Sequence, residues 1–270
     1  MGAGLGGALR AGGARVVATT VGRSDRTRRL AEGLELLPGL DEVIGVADVV
    51  LSVTPPGQAL AAARSIADAA RRTGTTPLVA DLNAVAPPTM ARVAEACAGL
   101  PVVDGSISGP PPSVRPGARI YLSGPRAAEV AALPWGGRVE PVVLAAGVGA
   151  ASALKMCTAS VYKGLNALVT QAMRTAGQHG VLDQVLADLA RNDLDGSAGV
   201  RVAATKAHRF VDEMREIAAT QAAAGLTPVL FEAFAAVYAD IAGTALATGG
   251  PETADRTLSP EEVVHQLSQR

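Results

Sequence analysis

The stretch MGAGLGGALRAGGARVVATT, residues 1–20, decides the fold. Glycines at positions 2, 4 and 7 make a literal GxGxxG. In a dinucleotide-binding unit that pattern follows a strand and opens a helix of roughly three turns. No strand precedes it here. If Gly7 closed the motif, only residues 8–11 would remain helical before the Gly12-Gly13 turn, which is too little for a crossover. Taking Gly2 as the last glycine of the fingerprint works better. Residues 3–11 then form the helix, Gly12-Gly13 the turn and residues 15–20 the second strand. On that register the first strand and two earlier glycines are expected upstream of Met1. A flexible glycine-rich tail is the plainer alternative.

Downstream, short β-rich runs at residues 14–20, 49–54, 78–82, 102–104, 119–123 and 138–144 alternate with helical spacing at 25–36, 58–72 and 88–98. Such alternation predicts βαβ units and a parallel sheet. After residue 145 the strand signal fades into Ala-rich amphipathic runs at 150–177, 182–189, 199–224 and 228–247. Ser259-Pro260-Glu261 has the form of a further helix start. The expected architecture is a Rossmann-like α/β domain over residues 1–145, lacking its first strand, followed by an all-α domain over 146–270.

Composition narrows the class. The 270 residues carry 24 Lys+Arg against 25 Asp+Glu, without the basic excess of most nucleic-acid proteins. Two cysteines build no disulfide framework and suit a reducing compartment. The uncharged run at residues 141–154 is too short to span a bilayer, and Lys155 closes it. A cytoplasmic globular protein is expected, with neither nucleic acid nor membrane as partner. His179, His208 and His265 have no metal-ligand spacing, and no G-x-S-x-G elbow is present.

The second strand runs into Val21-Gly22-Arg23-Ser24-Asp25-Arg26. An NAD-binding unit usually places an acidic residue there, on the ribose hydroxyls. Arg23 and Ser24 instead suit a 2′-phosphate, which favours NADPH over NADH. Lys155 follows an apolar run between Leu154 and Met156. Desolvation there lowers an ammonium pKa and suits it to proton transfer.

Four segments together resemble the β-hydroxyacid dehydrogenase superfamily, which includes 3-hydroxyisobutyrate and 6-phosphogluconate dehydrogenases. The branch carrying the C-terminal domain DUF1932 is the most similar. Met1-Gly2 match the end of that family's glycine fingerprint, and VVLSVTPP at residues 49–56 resembles its fourth strand and cofactor loop. DLNAVAP at 81–87 resembles D-x-S-T-x-x-P, with Asn83 and Ala84 in place of the hydroxyl residues. DGSISGP at 104–110 resembles the substrate segment D-A-P-V-S-G-G, although Pro110 removes one N–H. GVGAASALK at 147–155 keeps Gly149 and Lys155 of the pattern around the family's catalytic lysine.

The resemblance implies a catalytic Lys155, substrate contacts from Ser106, Ser108, Gly109 and Asn83, and cofactor contacts from Gly2, Arg23, Ser24, Val53, Thr54, Pro55 and Pro56. It also implies a small-molecule substrate and a homodimer formed through the helical domain. The position where the family often has Asn is Ala159, and a second family lysine is replaced around Asp212-Glu213. A substrate other than the usual 3-hydroxy acid is therefore expected. Cys157 reads as a small buried hydrophobe, and Tyr162 and Lys163 as helix surface or interface. Two alternatives remain: an imine reductase, which often lacks the lysine, and a cofactor-depleted dimeric binding or scaffold protein.

Overall fold

The computed structural model describes residues 1–194 and 196–270. The chain forms two compact units, Met1–Met156 and Cys157–Arg270. The first has a parallel-rich sheet flanked by helices, and the second is helical. These are the two architectures the sequence predicts.

The first unit opens on α1 (Gly2–Ala11), which buries Leu5, Ala8 and Leu9 at helical spacing. Gly2, Gly4 and Gly7 all lie inside this helix, so they form neither a phosphate loop nor a loose tail. Gly12 follows it and must be glycine, because a Cβ there would collide with the Pro134 carbonyl. Then come β1 (Val17–Ala18), α2 (Asp25–Leu30) and β2 (Glu35–Leu36). The helix expected over residues 25–36 is thus cut short. Gly33 turns the chain at φ +86, and Glu35–Leu36 pairs in parallel with β1.

The chain continues through α3 (Leu40–Val46), β3 (Val49–Ser52), α4 (Ala59–Thr73), β4 (Leu78–Asp81), α5 (Pro87–Ala96), β5 (Val102–Ser108), β6 (Ala118–Ser123), α6 (Ala127–Ala131) and β7 (Val139–Val143). The sheet is split. β1 and β2 form one parallel pair, and the other five strands run in the order β3-β4-β5-β6-β7. Only the β5–β6 pairing is antiparallel. Helix α1 packs on both sheets. Gly6 lies against Val16 and Leu34, Gly2 against Val53, and Leu5 shares an apolar core with Val49 and Leu51. That core includes Leu82, Val103, Ile107, Ile120 and Leu122, while a second unites Val79 with Ile66, Met90 and Val93.

Helix α7 (Ala150–Gln178) starts in the first unit and continues into the second. The division falls within this helix rather than before it, because its first turns are hydrogen-bonded to β5. The second unit adds α8 (Leu182–Ala190), α9 (Ser197–Ala204), α10 (Ala207–Ala223), α11 (Val229–Ala242) and α12 (Pro260–Ser268). The run at 199–224 is two helices, broken at Thr205-Lys206. The Ser259 cap is a complete capping box with Glu262.

Candidate active site

The carboxyl ends of β3 and β4, where open α/β sheets bind their ligands, carry a buried polar network. Asn83 Oδ1 accepts from the Thr54 N–H at 2.6 Å. Asn83 Nδ2 donates to Asp81 Oδ2 at 2.8 Å and to Ser52 Oγ at 3.2 Å, and the Asn83 N–H donates to Asp81 Oδ1 at 3.1 Å. These partners fix which way the amide points. They also turn Asn83 inward, where it ties the Val53-Thr54-Pro55-Pro56 loop to β4. Burial pushes the Asp81 carboxyl up to about 6 despite these donors. Asp81 stands in the sequence as the first residue of the DLNAVAP segment, and its anchoring role comes from the burial and donors that the fold brings to it.

One strand over, Asp104 is fully buried and serves as the cap of α7. Its Oδ2 accepts from the Gly149 N–H at 2.9 Å, the Ser152 N–H at 3.1 Å and Ser123 Oγ at 2.9 Å. Its Oδ1 accepts from Ser152 Oγ at 2.7 Å, and Ser123 Oγ in turn accepts from the Ala151 N–H at 3.1 Å. The helix's otherwise orphaned first-turn donors are thereby satisfied. Asp104 is the first residue of the DGSISGP segment, and nothing local in the sequence announces that it caps a helix 45 residues on.

Ser152 and Lys155 lie three residues apart on α7 and so share a face, here turned toward β5. Lys155 Nζ donates to the Ile107 carbonyl at 2.8 Å. Desolvation holds its pKa below the ordinary lysine value. Beside Ile107, Ser108 is half-buried, and Gly109 is exposed with φ +106, a conformation that favours glycine. Ser106 is fully buried, and its Oγ has no hydrogen-bond partner. Lys155, Ser106, Ser108 and Gly109 thus form one cluster.

A second cluster gathers at the carboxyl end of β3. Gly2 lies against Val53, and Arg23 Nη1 donates to Gln58 Oε1 at 3.2 Å, in the turn that begins at Pro56. Gly2, Arg23 and the Val53–Pro56 loop are therefore brought together. Ser24 Oγ accepts from the Thr27 N–H at 3.3 Å and caps α2, so this hydroxyl already has a local task. The first turn of α1 has no side-chain cap.

Two expectations for α7 change and one holds. Cys157 is exposed, not buried, because it lies on the outer face of α7. Tyr162 is 71% exposed, as a surface or interface residue would be. Lys163 is not free surface: its ammonium pairs with Glu213 and lies 4.6 Å from the Phe210 ring centroid, while Tyr238 Oη donates to its carbonyl at 2.7 Å. Among the described residues, no group of three or more His, Cys, Asp or Glu could hold a metal ion. No helix there is long and apolar enough to cross a membrane.

With this geometry in hand, the likeness to known proteins is direct. The fold is that of 3-hydroxyacid dehydrogenases. The chain is 28% identical to a conserved protein of unknown function whose structure reveals similarity with 3-hydroxyacid dehydrogenases. That match covers 88% of this chain and 92% of the other, with a TM-score of 0.64. The Mycobacterium tuberculosis 3-hydroxyisobutyrate dehydrogenase, solved with L-serine, matches at 20% identity and TM-score 0.64, covering 99% and 96% of the two chains. A Streptomyces aurantiacus imine reductase matches at 16% identity and TM-score 0.51, covering 99% and 96%. Residues 176–241 match DUF1932, a domain of unknown function. No curated protein matches the chain in sequence.

Proposed function

We propose that the chain is an NADPH-dependent oxidoreductase that moves a hydride between cofactor and a small hydroxy-acid or carbonyl substrate, with Lys155 as general acid and base. The observation that carries this reading is the Lys155 ammonium, desolvated and hydrogen-bonded to Ile107 beside Ser108 and Gly109. A nicotinamide cofactor fits the residues at the other cluster. The uncapped N-terminus of α1 at Gly2 offers N–H donors to a pyrophosphate, and Arg23 offers a guanidinium to a 2′-phosphate. Val53, Thr54, Pro55 and Pro56 form the wall between, anchored through Asn83. When bound, the cofactor supplies or accepts the hydride.

In reduction, hydride adds to the substrate carbonyl carbon and the C=O π pair moves onto oxygen. Lys155 Nζ donates a proton to that oxygen and is left as a neutral amine, recharged from solvent. Oxidation runs the same steps backward, with the amine removing the hydroxyl proton. Ser106, Ser108 and Gly109 hold the substrate's carboxylate end. The lowered pKa makes the neutral amine accessible below the ordinary lysine range, which suits both directions. An imine reductase is the lesser reading, since Lys155 offers a proton partner that such enzymes often lack.

The functional unit is proposed to be a homodimer through the helical unit. Val161, Tyr162 and Leu168 on α7, with Val229 and Leu230 on α11, are large exposed apolar groups there. The cofactor claim is tested by nicotinamide fluorescence on mixing protein with NADPH. A saturable rise is expected, and no response at millimolar cofactor overturns it. Lys155→Ala should keep NADPH binding and lose turnover. Full activity in that variant refutes the catalytic assignment.

A further inference from the structure

Directly opposed residues of paired strands point to the same face of a sheet. The registers Asp104↔Ser123, Ser106↔Tyr121 and Ser108↔Arg119 therefore place six polar side chains on one face of β5–β6. β7 extends this lane, with Glu140 in register with Arg119 and paired to it at 2.8 Å. The opposite face carries Ile107, Ile120 and Leu122 and belongs to the core. The lane starts at the cap of α7, passes the unpartnered Ser106 hydroxyl and opens into a groove of about 420 Å³. Ser108, Gly109, Pro110, Arg115, Arg119 and Glu140 line that groove.

Glu140 neutralises Arg119, which leaves Arg115 as the uncompensated charge of the groove. Among the described residues, no carboxylate pairs with the Arg115 guanidinium. The loop presenting it is rigid. Pro110, Pro111, Pro112 and Pro116 fix their φ angles. The Val114 N–H donates to the Pro111 carbonyl at 2.9 Å, Arg138 Nε to the Pro112 carbonyl at 2.9 Å, and the Gly117 N–H to the Arg138 carbonyl at 3.0 Å. A guanidinium held on a constrained loop binds an anion without first ordering the backbone.

We infer that this groove is an anion subsite, in which Arg115 takes a second acidic group of the substrate, distal to the end held at Ser108. The substrate class is then a hydroxy or keto acid bearing a second anionic group, carboxylate or phosphate. That the anion belongs to a substrate rests on the hydride-transfer reading, whereas the anion site stands on the groove alone.

The test uses the full chain, isotopically labelled, without cofactor, at constant ionic strength. Inorganic phosphate and, separately, malonate are titrated while the backbone amide resonances of Ser108, Gly109 and Gly117 are followed. Saturable shifts are expected with at least one anion. Arg115→Ala should weaken binding about tenfold, Arg115→Lys less because it keeps the charge and loses the fork, and Arg64→Ala on α4 not at all. The stronger anion identifies the acidic group. Absence of saturable shifts at tens of millimolar, or equal affinity in Arg115→Ala, overturns the inference. Because no nicotinamide is present, that failure is separate from a failure of NADPH to bind.

Discussion

The two ends of the α/β unit are built differently. From β3 to β7 the sheet is continuous, and its carboxyl ends are laced by buried bonds through Asp81, Asn83 and Asp104. At β1 and β2 the sheet is a separate pair of two-residue strands, and the charged groups around it are exposed. Arg15 meets Glu35 at 2.6 Å there, with both side chains largely in water. The first end holds Lys155 by structure; the second holds Arg23 by one exposed hydrogen bond. Proton transfer needs a fixed, desolvated group, whereas grip on a phosphate tolerates a mobile guanidinium.

Substitutions can break this contrast. The largest effect is expected at Lys155, where Ala should lower kcat by about 10² to 10⁴ while leaving NADPH affinity unchanged. In the intact chain the reduction rate should fall as pH rises through the lowered Lys155 pKa, and the oxidation rate should rise over the same window. A rate profile flat to the ordinary lysine range would remove the general-acid role. Next comes Asp104→Ala, which strands the buried donors of Ser152 and Ser123 and frees the partly buried Gly149 N–H. A loss of about 3 kcal/mol or more in denaturant unfolding is expected, since each unsatisfied buried donor costs about 1–3 kcal/mol.

Asp81 gives a pH test of the same end. Burial lifts its folded pKa to about 6, above the ordinary aspartate value of 3.8, so the folded state binds the proton more tightly. By linkage, its contribution to stability is fully present below the unfolded value and is lost as pH rises through about 6. Carboxyl NMR should find the Asp81 midpoint near there; a midpoint at the ordinary aspartate value would show that the Asn83 donors outweigh burial. At the other end, Arg23→Ala should raise KM for NADPH about tenfold and leave NADH little changed, and equal effects on both would end the 2′-phosphate assignment. The smallest effect is expected at Arg15–Glu35, where removing either partner should cost less than about 1 kcal/mol.

The sequence shows the continuous end well and the split end poorly, for physical reasons. β4 is a short apolar run and the Ala-rich helices after residue 145 have strong local propensity, whereas β5 was expected only over 102–104 and runs on through the polar DGSIS to Ser108, held there by pairing with β6. β2 was invisible because two residues, Glu35 and Leu36, carry no periodicity, and only pairing to β1 makes them a strand. Lys155 stood out by its apolar neighbours. Asn83 was legible as a site residue, but its inward turn depends on Asp81 and Ser52, which only the β3–β4 register brings near. Likewise the ion pair of Lys163 needs Glu213, fifty positions away, and no local pattern announces it.

The split in the sheet also bears on how the molecule meets its own kind. β3 is an edge strand, and Val49, Val50 and Leu51 along it are only half-buried. An apolar edge strand is a template for pairing with a further strand, and no proline interrupts Val49–Ser52. Self-association at high concentration should therefore be sensitive to what covers Val49–Ser52, whose apolar side chains pack on the two cores of the unit and leave only the main-chain edge as the point of attachment.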